Sequence, residues 1–304
     1  MFPIIPANSV AASFPENSEG IFGYGYSGEN QSVTNLVSNT GVVSSDVAGV
    51  GTARGGIAAT QYGEDKGIFG FGSVPSPTTY LSMTNLVSNA GVVATDTAGV
   101  GTAKGYGNAC SYDGDKGIFG YGNTGSVSNL SNLVSNAGVV ASDVAGVGTA
   151  RQELAACEYG GDKGMFGFGY DGVTPYLAVT NLVSNAGVVA TDTVGVGTAR
   201  GGIAACSYGG DKGIFGYGTT GSQVSTSNLV SNAGVVASDT AGVGTSRQAP
   251  AATQYGDDKG IFGFGRTATF VSITNLVSNA GVVASDQAAT TGTARGYFGA
   301  CSFN

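Results

Sequence analysis

A short phrase bracketed by glycines recurs six times along the 304-residue chain and limits the architectures that the sequence can adopt. It reads GIFGYG or a close variant and begins at residues 20, 67, 117, 164, 213 and 260. Successive copies are 47, 50, 47, 49 and 47 residues apart. A fixed period of this size is typical of repeat proteins, in which each unit buries its apolar face only against its neighbours. The six repeats are therefore expected to pack on one another.

Each repeat contains four short segments of strand composition. In the fifth repeat they are 203–208, 212–218, 225–232 and 234–239, separated by the turn-forming sequences YGGDKG and SNAG. None of these segments has the length or the period of a helix. Gly, Asn and Asp tolerate the backbone angles of tight reversals. The pattern predicts a four-stranded antiparallel meander.

Six such sheets arranged radially form a β-propeller. A β-helix would need shorter coils, and a helical solenoid would need a 3.6-residue period that is absent. We therefore predict an all-β fold: one six-bladed β-propeller domain over 9–304, preceded by an N-terminal arm at 1–8. The aromatic residues of each phrase are expected to lie against the bare glycine backbone of the next blade. The blades then contain the phrases at 20–25, 67–72, 117–122, 164–169, 213–218 and 260–265.

Two segments compete to complete the first blade. The C-terminal segment 298–303 aligns with the first strand of a repeat, but no second strand follows it, and residues 9–14 also resemble a first strand. The C-terminal copy retains the Arg295 and Cys301 of the pattern, so we expect the C-terminal strand to close the ring. The apolar arm would then be available to dock elsewhere.

A longer period of two repeats marks a candidate binding surface. The last aromatic residue of the phrase alternates between Tyr and Phe, and the even repeats carry apolar loops before their third strand. Loops on a rigid scaffold often bind ligands, and aromatic side chains there could stack on sugars. Alternating apolar residues are equally what a longer third strand would show. Both interpretations apply to Tyr80, Leu81, Tyr176, Leu177, Phe270 and Val271.

Charged residues are few and regularly placed. An aspartate precedes an arginine or lysine by eight or nine residues in every repeat, from Asp46 and Arg54 to Asp286 and Arg295. Such a set could line a channel and hold an ion, or it could join the blades through charge-assisted hydrogen bonds. The net charge of −8 lacks the clustered basic residues that nucleic acid requires. Nucleic acid is therefore not an expected partner.

The four cysteines occupy one register. Cys110, Cys157, Cys206 and Cys301 stand where Thr60 and Thr253 stand in two other repeats. Equivalent positions one repeat apart should exceed the ~7 Å Cα separation that a disulfide allows. The sequence predicts free, half-buried thiols.

The order of features in each repeat resembles kelch-type propeller repeats. An Arg precedes a small, apolar first strand, an aromatic second strand ends in glycines, and two outer strands lead to the next Arg. GYG or GFG replaces the usual double glycine, and the chain has no Trp. The near-identical phrases, such as TNLVSNAGVVASDTAGVGTAR, are also similar to those of repetitive bacteriophage proteins. This resemblance implies a virion component.

The residues predict a protein that is not an enzyme. The chain has no histidine, which is the commonest general base and metal ligand, and no nucleophile stands beside a base. We expect no metal and no cofactor. No segment approaches 18 continuous apolar residues, so membrane insertion is not expected. The start lacks the basic region and uninterrupted apolar core of a secretory signal.

The expected function is that of a structural or appendage protein of a bacteriophage virion. Its partners would be other virion proteins, contacted through the N-terminal arm. The alternative is a lectin-like propeller that binds a host-surface glycan or receptor through the loops of the even repeats. An intracellular interaction scaffold is a third class, although the repeats look too alike for a one-sided binding face.

Overall fold

All regular secondary structure in the computed structural model is β-sheet, and the structure describes residues 18–75, 77–290 and 292–303. The strands form six three-stranded antiparallel sheets and a two-stranded ribbon within these ranges. Each sheet corresponds to one sequence repeat. The predicted arm at 1–8 and the competing segment at 9–14 lie outside the described residues.

Each three-stranded sheet has an inner, a middle and an outer strand. The inner strands are β20 (Gly299–Phe303), β3 (Ala58–Tyr62), β8 (Asn108–Tyr112), β11 (Ala155–Tyr159), β14 (Ala204–Tyr208) and β17 (Ala251–Tyr255). The middle strands, which contain the glycine phrase, are β1 (Glu19–Tyr26), β4 (Lys66–Gly70), β9 (Lys116–Asn123), β12 (Lys163–Gly169), β15 (Lys212–Gly216) and β18 (Lys259–Gly263). The outer strands are β2 (Asn30–Val37), β7 (Thr84–Val87), β10 (Val127–Val134), β13 (Leu177–Val183), β16 (Ser227–Val230) and β19 (Thr274–Val277). The ribbon in the second repeat pairs β5 (Ser73–Val74) with β6 (Thr79–Tyr80).

The fourth segment of each repeat is not a strand, and in this the predicted four-stranded sheet is wrong. In the fifth repeat it pairs with β16 in two isolated bridges, of Val236 with Val230 and of Thr240 with Ser227. Between these bridges, Nδ2 of Asn228 donates 3.0 Å to the carbonyl of Ala237. A side-chain amide thus takes a carbonyl that a regular ladder would use, which is how Asn competes with sheet structure.

The two ends of the chain share one sheet. β20 pairs with β1 in antiparallel register, with Ile21 opposite Cys301 and Phe22 opposite Ala300. The prediction that the C-terminal strand completes the first sheet is confirmed. Successive inner strands contact one another in the cyclic order β20, β3, β8, β11, β14, β17 and back to β20.

The apolar core lies between the sheets rather than within one central mass. Each hydrophobic cluster draws residues from two successive repeats, as where Met165 of the fourth and Phe215 of the fifth pack together. The cluster that contains Phe22 and Ile261 joins the sixth repeat to the first in the same manner. Each sheet therefore buries both faces against its neighbours.

The glycine phrase provides the contact between neighbouring sheets, although each Phe lies against a glycine of the preceding repeat rather than of the next. A Cβ atom on Gly167 would stand 2.8 Å from the tip of the Phe215 ring, which is too close for any residue other than glycine. The next aromatic residue, Phe168, has its ring centroid 5.1 Å from that of Phe215. The same glycine and phenylalanine contact joins Gly23 to Phe69, Gly70 to Phe119, Gly120 to Phe166, Gly216 to Phe262 and Gly263 to Phe22.

Candidate functional site

Six backbone amides, one from each repeat, form a closed circle of hydrogen bonds at one end of the inner strands. The N–H of Tyr106 donates 2.7 Å to the carbonyl of Gly56, and the N–H of Gly56 donates 2.8 Å to the carbonyl of Tyr297. Every further member donates in the same direction until the circle returns to its start. This amide circle consists of Gly56, Tyr106, Glu153, Gly202, Ala249 and Tyr297.

The members of the amide circle share a left-handed backbone. Their φ angles lie between 52° and 62°, a region that costs a residue with a Cβ atom about 1–2 kcal/mol. Four of the six nevertheless carry side chains, because the surrounding hydrogen bonds fix the conformation. Residues held in this way cluster at functional sites. The observation directs attention to Tyr106, Glu153 and Tyr297, whose side chains line a cavity.

The cavity has a volume of about 430 Å³ and lies beside the amide circle. Such a volume falls within the range of roughly 300–1,000 Å³ that is typical of small-molecule sites. Aromatic side chains form part of its wall, and the amides of Asn30, Asn123 and Gln152 together with the carboxylate of Glu153 supply polar groups. Arg266, which is exposed, also lines it. The lining comes from the first, second, third, fourth and sixth repeats, so the cavity lies away from the fifth repeat.

Three tyrosines stand together in this cavity. The ring of Tyr106 lies edge-on to that of Tyr297, with centroids 5.8 Å apart and planes at 84°. Burial raises the pKa of Tyr80, and the neighbouring Tyr106 phenol raises it further. Burial also raises the pKa of Tyr297, with Glu153 contributing in the same direction and Arg266 opposing. The phenols of Tyr80 and Tyr297 therefore keep their protons at neutral pH.

The aromatic residues predicted as a binding surface occupy equivalent places in the even repeats. The rings of Tyr80, Tyr176 and Phe270 lie over Gly105, Gly201 and Gly296, 3.0–3.4 Å from where a Cβ atom would stand. Each of these glycines follows a buried cation of the pattern.

Of the six predicted residues, Tyr80 alone lines the cavity. Tyr176 pairs with Tyr170, and Phe270 pairs with Tyr26 beneath Arg266. Leu81, Leu177 and Val271 are half-buried beside these rings. The structure does not bring the six together, and their role in binding stays a prediction.

The charged set links neighbouring repeats. Arg54, which is fully buried, donates from Nη2 to Oδ1 of Asn85 at 2.7 Å and from Nη1 to the carbonyl of Thr52 at 2.9 Å. Asn85 in turn donates 2.9 Å to Asp96, which also accepts 3.0 Å from the N–H of Thr52. Each aspartate is thus connected, through an asparagine, to the cation of the preceding repeat. The same arrangement joins Asp143 to Lys104, Asp192 to Arg151, Asp239 to Arg200, Asp286 to Arg247 and Asp46 to Arg295 through Asn132, Asn181, Asn228, Asn275 and Asn35.

These contacts decide between the two interpretations of the charged set. Burial by itself would raise the pKa of Asp96, but the hydrogen bonds from Thr52 and Asn85 lower it below its usual value. Each buried cation also lies on an aromatic ring of the phrase, as Arg151 lies 4.2 Å from the Tyr121 centroid. Cation and carboxylate are thus bound to groups of the protein itself, and the interpretation as a link between repeats is confirmed.

The four cysteines are free, as predicted, but they are buried rather than half-buried. The structure shows them almost fully covered, because each sulfur lies against the first glycine of a neighbouring phrase. Sγ of Cys157, for example, is 2.5 Å from where a Cβ atom would stand on Gly213. Burial raises the pKa of Cys206 to about 12, so this thiol is protonated and unreactive at neutral pH.

A second cavity, of about 60 Å³, is lined by residues of all six inner strands. Glu158 lies in it, and its carboxylate accepts hydrogen bonds from the hydroxyl of Ser111 and from Nε2 of Gln61 at 3.2 Å. Burial raises the pKa of Glu158 despite the bond from Ser111. The cavity is too small for an organic ligand, and its polar side chains are engaged with one another.

The sequence contained an unused signal for the larger cavity. The residues that follow each cation read GGI, GYG, QEL, GGI, QAP and GYF, whereas the flanking phrases are almost constant. The repeats are otherwise nearly identical. A position that varies among them is therefore one at which the environment or the function differs from repeat to repeat. Tyr106, Glu153 and Tyr297 all lie at this position, and comparison of the repeats with one another would have singled them out.

Comparison of the sequence with family models and curated proteins provides no relative on which to base a function. No family model matches the sequence, and no curated protein matches it. The part of the chain that the structure describes contains no helix that could span a membrane. Within the same residues, no three or more His, Cys, Asp or Glu side chains are grouped so that they could hold a metal ion. The candidate site is therefore defined by its own geometry, as the 430 Å³ cavity beside the amide circle.

Proposed function

We propose that the chain is a six-bladed β-propeller that works as a rigid, non-enzymatic interaction module. The amide circle is the observation that carries this proposal, because a closed circle of six hydrogen bonds requires six repeats around one axis. The cyclic contacts of the inner strands and the pairing of β20 with β1 support it. A propeller leaves only short, protected strand edges, which suits a scaffold that holds a binding surface in place.

The binding surface of this module is the end that carries the amide circle. The remaining parts of the repeats are nearly identical, and their buried charged side chains are hydrogen-bonded in the links between blades. The cavity is the place where the repeats differ and where aromatic and polar side chains converge. Small-molecule sites typically combine such aromatic walls with a few polar groups.

Two biological settings remain as proposals. The repeated phrases favour a structural or appendage role in a bacteriophage particle, with residues 1–8 contacting other virion proteins. Recognition of a host-surface glycan or receptor is the second candidate, and the position of Tyr80 on the cavity wall favours it. Both settings use the propeller as a rigid module, so they are compatible.

The test of the interaction role is a binding screen of the purified, tagged protein against a glycan array and whole bacterial cells. A Tyr106→Ala and Tyr297→Ala double variant tests the cavity, and a Tyr80→Ala, Tyr176→Ala and Phe270→Ala triple variant tests the even-repeat loops. Val235→Ser is a matched control, because Val235 is exposed, follows β16 and does not line the cavity. We expect saturable binding that the cavity variant loses and the control retains. Binding that survives the cavity variant would refute this location.

The particle setting has its own test. Mass spectrometry of purified particles should detect the chain, and a protein that lacks residues 1–8 should remain folded but fail to assemble. Absence of the chain from the particles, or normal assembly of the shortened protein, would reject the corresponding proposal.

A further inference from the structure

The cavity beside the amide circle contains the carboxylate of Glu153, which has no hydrogen-bond or ion-pair partner among the residues that the structure describes. Within the described residues, Glu153 is held by its backbone in the circle, while burial is the one influence on its carboxyl pKa, which it raises. Oε2 lies over Gly201 and Gly202, 3.5 and 4.0 Å from where their Cβ atoms would stand, so no side chain of these neighbours covers it. A half-buried carboxylate in this position is stabilised by a cation that approaches from the cavity.

Aromatic faces surround the approach to this carboxylate. Tyr106 precedes Glu153 in the amide circle, and the perpendicular rings of Tyr106 and Tyr297 form two adjoining walls. Tyr80 lines the same cavity. The faces of aromatic rings attract cations, and several rings around one cavity are the usual means of recognising alkylated ammonium groups.

The positive charges of the neighbourhood do not compensate Glu153. The cations that precede the circle positions, Arg54, Lys104 and Arg151, are buried and bound to asparagine and backbone groups of their own links. Arg266 is exposed at the rim, with its guanidinium 5.6 Å from the centroid of Phe270. The overall charge of −8 also favours a cationic ligand over an anionic one.

We propose that this cavity binds an organic cation with an alkylated ammonium group, held between the Tyr106 and Tyr297 rings and the Glu153 carboxylate. The inference rests on the proposed interaction function and names the ligand class of its site. Arg266 repels the cation weakly from the rim, and it would be the natural contact for an anionic group on the same ligand.

The experiment uses choline chloride as the probe and 3,3-dimethylbutan-1-ol, its uncharged analogue of equal shape, as the reference. Titration of the full chain, followed by calorimetry or by NMR shifts, should show choline binding about tenfold or more tighter than the alcohol. Equal binding of the two compounds, or binding of neither, would overturn the proposal. Saturable binding of monosaccharides in place of choline would also overturn it, while leaving the interaction function intact.

Two charge variants separate recognition from structural damage. Glu153→Gln should weaken choline binding about tenfold, whereas Arg266→Gln should strengthen it, because it removes a positive charge from the cavity wall. Tyr106→Leu, which keeps an apolar side chain but removes the ring face, should weaken it as well. Unfolding midpoints of the variants confirm that each is folded. If Glu153→Gln does not fold, the comparison of choline with the alcohol in the unaltered protein still decides the question.

The pH dependence supplies an independent readout. The other titratable and charged groups that line the cavity are Tyr26, Tyr80, Tyr106, Tyr297 and Arg266. Burial raises the pKa values of Tyr80 and Tyr297, so neither of these phenols ionises on acidification. Choline affinity should therefore fall as the solution is acidified and Glu153 gains its proton. An affinity that does not change with acidification would contradict a role for this carboxylate.

Discussion

Arg295 and Asn35 are separated by 260 positions in the chain, yet Nη2 of Arg295 donates a 2.7 Å hydrogen bond to Oδ1 of Asn35. The same bond joins Arg54 to Asn85 at a separation of 31 positions. The contact that links successive repeats along the chain therefore also links its two ends. The two ends of the chain are thus joined by this side-chain link as well as by the pairing of β20 with β1.

The first prediction concerns this closure. Arg295→Met should lower the free energy of unfolding by roughly 2–4 kcal/mol, because it leaves Oδ1 of Asn35 and the carbonyl of Thr293 without their buried donor. Urea denaturation measures the change. Arg151→Met is the matched variant inside the chain, with the same bond to Asn181 at 2.8 Å. Similar losses support a ring closed in solution, whereas a negligible loss for Arg295→Met alone would show that the ends are not joined.

The second prediction concerns Lys104, the one lysine in a position that is arginine in the other five repeats. Its ammonium donates 2.6 Å to Asn132 and lies 4.6 Å from the Phe71 centroid. Burial lowers the pKa of Lys104 to about 8, against the opposing influence of Asp143. Between this value and the ordinary lysine value of about 10.4, the unfolded chain binds more protons than the folded one. The effect of Lys104 on the free energy of unfolding of the unaltered protein therefore becomes more favourable as the pH rises across that window.

Lys104→Arg should be more stable than the unaltered protein at pH 7, since guanidinium fits the equivalent sites and remains charged. The advantage should shrink as the pH rises from 8 towards 10, where the buried lysine loses its proton. Denaturation at several pH values, with Arg200→Lys as the reverse variant, tests both statements. A destabilised Lys104→Arg, or a difference that does not vary with pH, would contradict them.

The third prediction separates contact from backbone strain at two glycines of one repeat. A Cβ atom on Gly216 would stand 2.7 Å from the Phe262 ring, whereas Gly221 has open space but a φ of 108°. Gly216→Ala should cost about 1–3 kcal/mol or more through overpacking of the contact between sheets. Gly221→Ala should cost about 1–2 kcal/mol through strain alone. Combining Gly216→Ala with Phe262→Leu should recover part of the first loss and none of the second, and failure of this rescue would argue against the ring contact.

The parts of the fold that followed from the sequence are those set by local composition. A contact between glycines and aromatic rings of neighbouring repeats, such as that of Gly216 with Phe262, was expected because a glycine-bracketed aromatic phrase recurs at a fixed period, but its direction was not. The fourth segment was not foreseen as irregular, because its composition is that of a strand. Its hydrogen bonding depends on where the Asn228 amide points, which the period does not specify.

The candidate site was missed for a different reason. Tyr106, Glu153 and Tyr297 adopt left-handed backbone angles that sequence statistics assign to glycine. The hydrogen bonds that hold this conformation run between different repeats, so the sequence of a single repeat does not predict it. Tyr80 was recognised because an aromatic residue in a variable loop is a local signal, although its partners came from other repeats.

The last prediction concerns Glu158 in the small cavity between the inner strands. Burial raises its pKa in the folded chain, so the unfolded chain loses this proton first as the pH rises. A carboxyl of this kind opposes folding above its unfolded pKa of about 4.3, and the penalty is complete once the pH exceeds its folded pKa. Glu158→Gln removes the charge and places glutamine where Gln61 and Gln254 stand in the second and sixth repeats.

The variant should therefore be more stable than the unaltered protein at pH 7, and the two should converge near pH 4, where the glutamate is protonated. Urea denaturation between pH 4 and pH 8 measures this convergence. Glu29→Gln, at an exposed position, controls for the general effect of removing one negative charge. Equal stabilisation by both variants would assign the effect to net charge, and a loss of stability at pH 7 confined to Glu158→Gln would show that the hydrogen bonds from Ser111 and Gln61 outweigh the cost of the buried charge.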